Sequence, residues 1–356
     1  MLFRSPRNTE ENRSSGIKEK RIKQGAMQAG ASATCSVVFA AAVLLGAAVC
    51  SMGMAGALMS VPLFAAGVIT GALLLCWGAG ILRAVPGVVA FAALMVAGIP
   101  GALYALAALA AAFILYLCSM SRRNKFETVA WMMAGVCAVL FCAFLYVVYL
   151  ERGSVGADTV GRYLSAVTDA LKQNYLTVMG EIASVPLGNP VMEEYIAQLN
   201  NETVAAQLAR NFVCVVPAYA AAACSVLCFV TVTLFVWAAG KIGHNPFFLT
   251  LYVAPVSSAY IYLTATLLEV FVSVNTVFGL ALQYVTVLLL PCFLYFGCRG
   301  VIAILKARAG WFVKLAVIGV GVFLFFTMGQ YLFSLIAFFG AFIVSRIRVY
   351  DLRDVK

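Results

Sequence analysis

No charged residue occurs between Gln24 and Leu82, a run of 59 positions. A water-soluble domain cannot hide a stretch of that length, whereas one bilayer crossing takes about 20 apolar residues. The run therefore predicts two crossings and a turn, with the turn falling between Ser51-Met52-Gly53 and Ser60-Val61-Pro62. Arg83 closes it. Ala84 to Ser121 is a second uncharged run, of 38 residues, with the turn signal Gly98-Ile99-Pro100-Gly101 near its middle. It predicts a tight hairpin of two short spans, closed by Arg122, Arg123 and Lys125. Thr128 to Leu150 predicts one further span. The chain as a whole is 64% hydrophobic and 11% charged, against roughly a quarter charged in soluble domains. Long unbroken apolar runs satisfy their backbone polar groups as helices, and barrel strands alternate in short segments. The expected fold class is all-α, a polytopic transmembrane helix bundle of about 8 to 10 spans.

One long polar segment divides this bundle. Glu151 to Arg210 carries seven acids and four bases, a net charge of −3 in a chain of net charge +10. Charge segregated in this way reports sidedness, because basic residues stay on the cytoplasmic side. The segment is expected outside, and both termini and the Arg122–Lys125 loop inside, in a bacterial plasma membrane. Val160, Leu164, Val167, Leu171 and Val178 repeat at helical spacing. The stretch Ser184 to Asn189 breaks the pattern, and Asn189-Pro190 is a helix start. Met192, Ile196 and Leu199 form a second stripe, and Asn201 is placed to cap the next helix. Two external amphipathic helices follow, either covering the mouth of the bundle or resting on lipid headgroups.

The second half predicts a span over Asn211–Gly240, ending at Lys241 and His244. A helix starting at Asn245-Pro246 is expected to run to about Phe271, with an outer turn at Ser273–Asn275. Thr276–Cys298 returns to a basic loop of Arg299, Lys306, Arg308 and Lys314. The last apolar run, Leu315 to Ser345, is 31 residues. It fits either a hairpin turning near Met328-Gly329-Gln330 or one long tilted helix. The domain organisation is then a basic tail (1–23), an N-terminal membrane half (24–150), the external segment (151–210), a C-terminal membrane half (211–345) and a second tail (346–356).

Several function classes fall away. The basic residues sit beside apolar runs, where topology and anionic headgroups account for them, so no nucleic-acid partner is expected; the expected partner is the lipid bilayer. The eleven cysteines all lie in apolar stretches with no CxxC pair, which suits packing better than a disulfide framework. A single histidine, His244, supplies no metal cluster. Neither GxxxxGK[ST] nor HExxH occurs. No catalytic residue, metal site or cofactor is expected, and no enzymatic activity.

Ionisable groups within spans mark function most often. Glu269 is the one acid inside an apolar stretch, between Leu267-Leu268 and Val270-Phe271. It is either a solvated interfacial acid or a contact for a ligand or cation. Glu127 adjoins the inner basic cluster and reads as a boundary residue. Pro62, Pro86, Pro100, Pro217, Pro255 and Pro291 lie in or at the edges of spans, where each either kinks a helix or serves packing. Gln283, Gln330 and Asn275 need polar partners.

Lys23-Gln24-Gly25-Ala26-Met27-Gln28-Ala29, the segment Leu164 to Pro217 and the ending Arg346 to Arg353 together resemble the YybS-like family of uncharacterised bacterial membrane proteins. The resemblance covers roughly Lys23 to Arg353. Gln24 stands where Glu is common in the family, and the tail lacks its usual aromatic pair. The family is distantly similar to the substrate-binding subunits of energy-coupling-factor transporters. The resemblance implies a subunit that binds a vitamin or metal ion and docks on a transmembrane coupling protein with ATPases. In those subunits a small-residue pair on the first helix makes the dock, which here is Ala29 and Ala33. Three functions compete: a small-molecule-binding transport subunit, a scaffold or regulator of envelope machinery, and an enzyme on lipid-linked substrates. The scarcity of intramembrane acids and histidines disfavours the third.

Overall fold

The computed structural model describes residues 30–50, 52, 54–78, 80–96, 98–184, 190–242, 249, 252–272, 276–306, 310–311, 315, 319 and 330–346. Among them there is no strand. The helices are α1 (Gly30–Cys50), α2 (Met54–Trp77), a 3-10 turn at Gly80–Ala84, α3 (Val85–Val96), α4 (Gly98–Met120), α5 (Lys125–Arg152), α6 (Ala157–Ala183), α7 (Pro190–Leu199), α8 (Glu202–Lys241), α9 (Val256–Glu269), α10 (Val277–Lys306) and α11 (Gln330–Arg346). Six of them, α1, α2, α4, α5, α8 and α10, are long and apolar enough to cross a membrane. The protein is an all-α integral membrane protein.

The described residues fall into two compact units, and neither matches a half of the chain. One comprises residues to Leu140 with Leu227–Val253; the other comprises Phe141–Val226 with residues from Ala254 on.

In the first unit, α1 and α2 meet at the near edge of the expected window: α1 stops at Cys50 and α2 starts at Met54, so Ser60, Val61 and Pro62 lie inside the helix. Tyr104 of α4 locks the three long helices together. Its hydroxyl donates to the Ser60 carbonyl (3.2 Å), its ring meets Phe64 edge-on (5.9 Å), and it fills the space that a Cβ on Gly46 would need. The hairpin at Gly98 forms as expected, and Gly98 has φ of +65°, a conformation that costs glycine little. Its arms are unequal. At 12 residues, α3 is about 18 Å long and too short to cross, so only α4 is a full span. Asn124 and Glu127 cap α5 reciprocally: the Glu127 N–H donates to Asn124 Oδ1 (2.9 Å), and Asn124 Nδ2 donates to Glu127 Oε1 (3.0 Å). Lys125, though charged, is buried. Its ammonium donates to Thr233 Oγ1 and lies over the Phe229 ring, which satisfies a cation in an apolar setting.

In the second unit, the polar segment forms two amphipathic helices and the polar start of α8. Tyr163 of α6 packs edge-on against Phe144 of α5 (5.8 Å), and the Tyr175 hydroxyl donates to the Leu199 carbonyl of α7 (3.2 Å). The covered face of α6 is therefore turned slightly from the expected stripe: Val160, Val167 and Leu171 are half-buried, but Val178 is exposed. Tyr163 and Tyr175 take its place, because aromatic rings carry more contact area than the aliphatic residues beside them. Of the α7 stripe, Ile196 is buried and Met192 exposed. Asn201 caps α8, accepting from the Thr203 N–H (2.9 Å). At 40 residues, α8 is about 60 Å long, twice what a crossing needs. Its first turns carry the polar residues Glu202 to Arg210 before the apolar stretch begins.

The largest departure concerns the predicted helix from Asn245 to Phe271. Asn245 and Pro246 lie outside the described residues. Tyr252–Pro255 is not helical, and the helix that follows, α9, has only 14 residues. Pro255 is its N-cap, at φ −59° and ψ 137°, because proline lacks the N–H a helix interior requires. The final run's hairpin, expected at Met328–Gln330, lies largely outside the described residues; α11 begins at Gln330. It packs on α10 so closely that a Cβ on Gly340 would overlap the Phe293 carbonyl and one on Gly297 would overlap the Ile336 carbonyl.

Candidate functional site

Helices α9, α10 and α11 pack against one another in the second unit, and the seam between α9 and α10 holds the polar groups. Tyr262, Thr266 and Glu269 repeat at four and three along α9 and so share a face. Tyr262 is fully buried against the Phe293 ring (5.0 Å). The Thr266 hydroxyl is satisfied by the Tyr262 carbonyl (2.8 Å). Glu269, half-buried, accepts a hydrogen bond from Thr286 Oγ1 of α10 (3.0 Å). No Lys or Arg among the described residues pairs with it.

The depth of this carboxylate follows from α10. The uncharged part of α10, Val277 to Cys298, is 22 residues, about 33 Å of helix and close to the thickness of the hydrocarbon core. Thr286 lies nine residues along it, about 13 Å from its start. Glu269 therefore meets α10 part-way along its apolar stretch rather than at its start. The cause is the early end of α9. Glu269 is its last residue, and the chain turns at Val270 and Phe271. Non-helical backbone at membrane depth occurs where it is enclosed by protein or lines a wet cavity.

Two further details make the site electronegative. The C-terminal end of a helix carries partial negative charge, so an acid there is unfavourable unless something offsets it. The Thr286 hydroxyl, with one proton, lies 3.0 Å from both Glu269 Oε2 and the Gln283 carbonyl oxygen, so it cannot serve both. Gln283, three residues earlier and on the same face of α10, has a buried side-chain oxygen with no hydrogen-bond donor. The need for partners at Gln283 was visible in the sequence; the meeting of Thr286 with Glu269 required the break in α9.

The expected docking pair is described in part. Ala33 is exposed on α1, while Ser32 and Phe39 turn inward; Ala29 lies outside the described residues, as do His244 and Asn275. Among the described residues none of the eleven cysteines forms a disulfide, and no cluster of three His, Cys, Asp or Glu side chains gathers in one place. Glu127 belongs to the α5 cap and a salt bridge with Arg123 (3.2 Å), a structural role. No family model, curated protein or solved structure matches the chain.

Proposed function

We propose that this integral membrane protein is a solute-binding transport subunit whose binding site is the Glu269 seam between α9 and α10. The observation that carries this reading is a carboxylate with no Lys or Arg partner among the described residues, at the end of a helix that stops short and against a hydroxyl about 13 Å along the apolar stretch of α10. Discontinuous helices with ionisable groups at their broken ends are how transporters build substrate and ion sites. The sequence carries no phosphate-binding loop, so nucleotide hydrolysis belongs to a separate partner. The resemblance to energy-coupling-factor subunits suggests a transmembrane coupling protein with ATPases, docked at Ala29 and Ala33. Ala33 is exposed, so a bulky residue there leaves the internal packing of α1 untouched.

The test is gentle purification from a membrane that expresses such a module, read by co-purification and native mass spectrometry. The wild-type protein is expected to bring the coupling protein with it, and Ala33→Trp to lose it while remaining folded. Recovery of no partner from the wild type removes the transport reading and leaves a scaffold of envelope machinery.

A further inference from the structure

We infer that the Glu269 seam binds one alkali-metal cation. This deepens the reading of the seam as a binding site and is independent of whether the ion is cargo or driver. The seam offers oxygen ligands, the Glu269 carboxylate and the Thr286 hydroxyl, and the side-chain oxygen of Gln283, buried and without a donor, lies one turn from Thr286 on α10. The last turn of α9 adds its negative end. The Glu269 carboxylate has no cationic partner among the described residues, so the seam is short of positive charge. Oxygen ligands suit hard cations, and with no thiolate or imidazole among these groups a soft or borderline transition metal is disfavoured.

Charge then selects the valence. One carboxylate faces the site, and Glu269 is the one acid in the sequence from Asn211 to Cys298. A monovalent ion makes the seam neutral, whereas a divalent ion leaves a net positive charge in an apolar layer, where uncompensated charge is costly. A protonated amine is larger and brings several donors that all need acceptors in one direction. The seam instead offers oxygens from two helices, as a small spherical ion requires. Binding would also explain why a hydroxyl sits between two acceptors: with an ion on the carboxylate, the Thr286 proton is free for the Gln283 carbonyl.

The experiment is a thermal melt of the purified full chain in detergent. Ionic strength and pH are fixed, and N-methyl-D-glucamine chloride is replaced stepwise by NaCl or KCl. A ligand that binds only the folded state stabilises it with the logarithm of its concentration, so the wild type is expected to gain several degrees between about 1 and about 100 mM. Glu269→Gln is expected to give a flat titration. Gln283→Leu and Thr286→Val are expected to move the midpoint at least about tenfold higher, and they carry the test if Glu269→Gln does not fold. Indifference of the wild type to both cations overturns the proposal, as does an equal response in Glu269→Gln. A melting temperature that follows pH through Glu269 but ignores the cations overturns it too, in favour of a proton site. The titration needs no partner. A cation response without a recovered partner keeps the site and removes the transport subunit; a flat titration with a recovered partner does the opposite.

Discussion

Glu127 and Glu269 are both acids bordering apolar helices, and their surroundings give them opposite roles. Glu127 is held by two side-chain donors, the Asn124 amide and the Arg123 guanidinium. Its pairing with Asn124 is local, three residues apart, and is legible in Asn124-x-x-Glu127 once a helix is known to start there. Glu269 meets Thr286 seventeen residues on, a partnership that no local spacing encodes. The two sites differ in what mutation reveals. Asn124→Ala removes the side-chain acceptor of the α5 cap and is expected to cost about 1 kcal/mol of stability, as cap deletions do. Glu127→Gln keeps an acceptor for the Asn124 amide and loses only an exposed ion pair, so its cost should stay below about 1 kcal/mol. Denaturation curves of the two variants against wild type check both. Equal losses would mean that the ion pair, not the cap, holds the start of α5.

Helices rather than residues decide how tightly the second unit closes. Apolar composition marks Leu315 to Ser345 as a candidate membrane run, but not which face meets α10. That face is marked by glycine and alanine: Gly340, Ala337 and Ala341 of α11 are buried, and Gly340 meets the backbone of Phe293 and Gly297. Small residues allow this approach, and in lipid the resulting van der Waals contact is a main driving force for association. The kind of atom each glycine faces gives a contrast. A methyl at Gly340 overlaps a carbonyl and an amide of the helix backbone, which cannot move without displacing the helix. A methyl at Gly300 meets chiefly Cδ1 of Ile343, the far end of a flexible side chain. Gly340→Ala is expected to destabilise by about 1–3 kcal/mol or more, and Gly300→Ala by clearly less. Thermal melts in one detergent measure the difference; similar losses would mean that α10 and α11 do not meet at Gly340. The prolines show the same limit of legibility. Pro62, Pro217 and Pro291 lie inside helices, while Pro86 and Pro100 occupy first turns and Pro255 an N-cap. Sequence marks each as a place where a helix changes, and only neighbouring contacts decide whether it bends or starts.

For the molecule as a whole, the placement of charge constrains topology more than any contact does. Thr128 to Leu150 is an uncharged stretch of 23 residues within the single helix α5, about 34 Å and enough to cross. A crossing by α5 would put Arg123 and Arg152 on opposite sides of the membrane. The uncharged part of α8, Asn211 to Gly240, is one continuous helix and returns the chain, so the whole segment from Glu151 to Arg210 shares one side. Its four bases are spread over 60 residues, whereas Arg122, Arg123 and Lys125 fall within four. The rule that retains dense positive charge in the cytoplasm predicts the Arg122–Lys125 turn inside and the polar segment outside. That expectation needs no structure, because it depends on charge and run length alone. The interleaving of the two compact units was not legible in the sequence, since it depends on which segments of α5 and α8 pack with which neighbours. Ser165 lies exposed on α6, away from the face that Tyr163 and Tyr175 cover. With the native cysteines replaced, Ser165→Cys is expected to react with a membrane-impermeant maleimide in intact cells, and Arg122→Cys only after permeabilisation. The reverse pattern would put the polar segment in the cytoplasm and require the acidic face of the protein to override the dense basic turn.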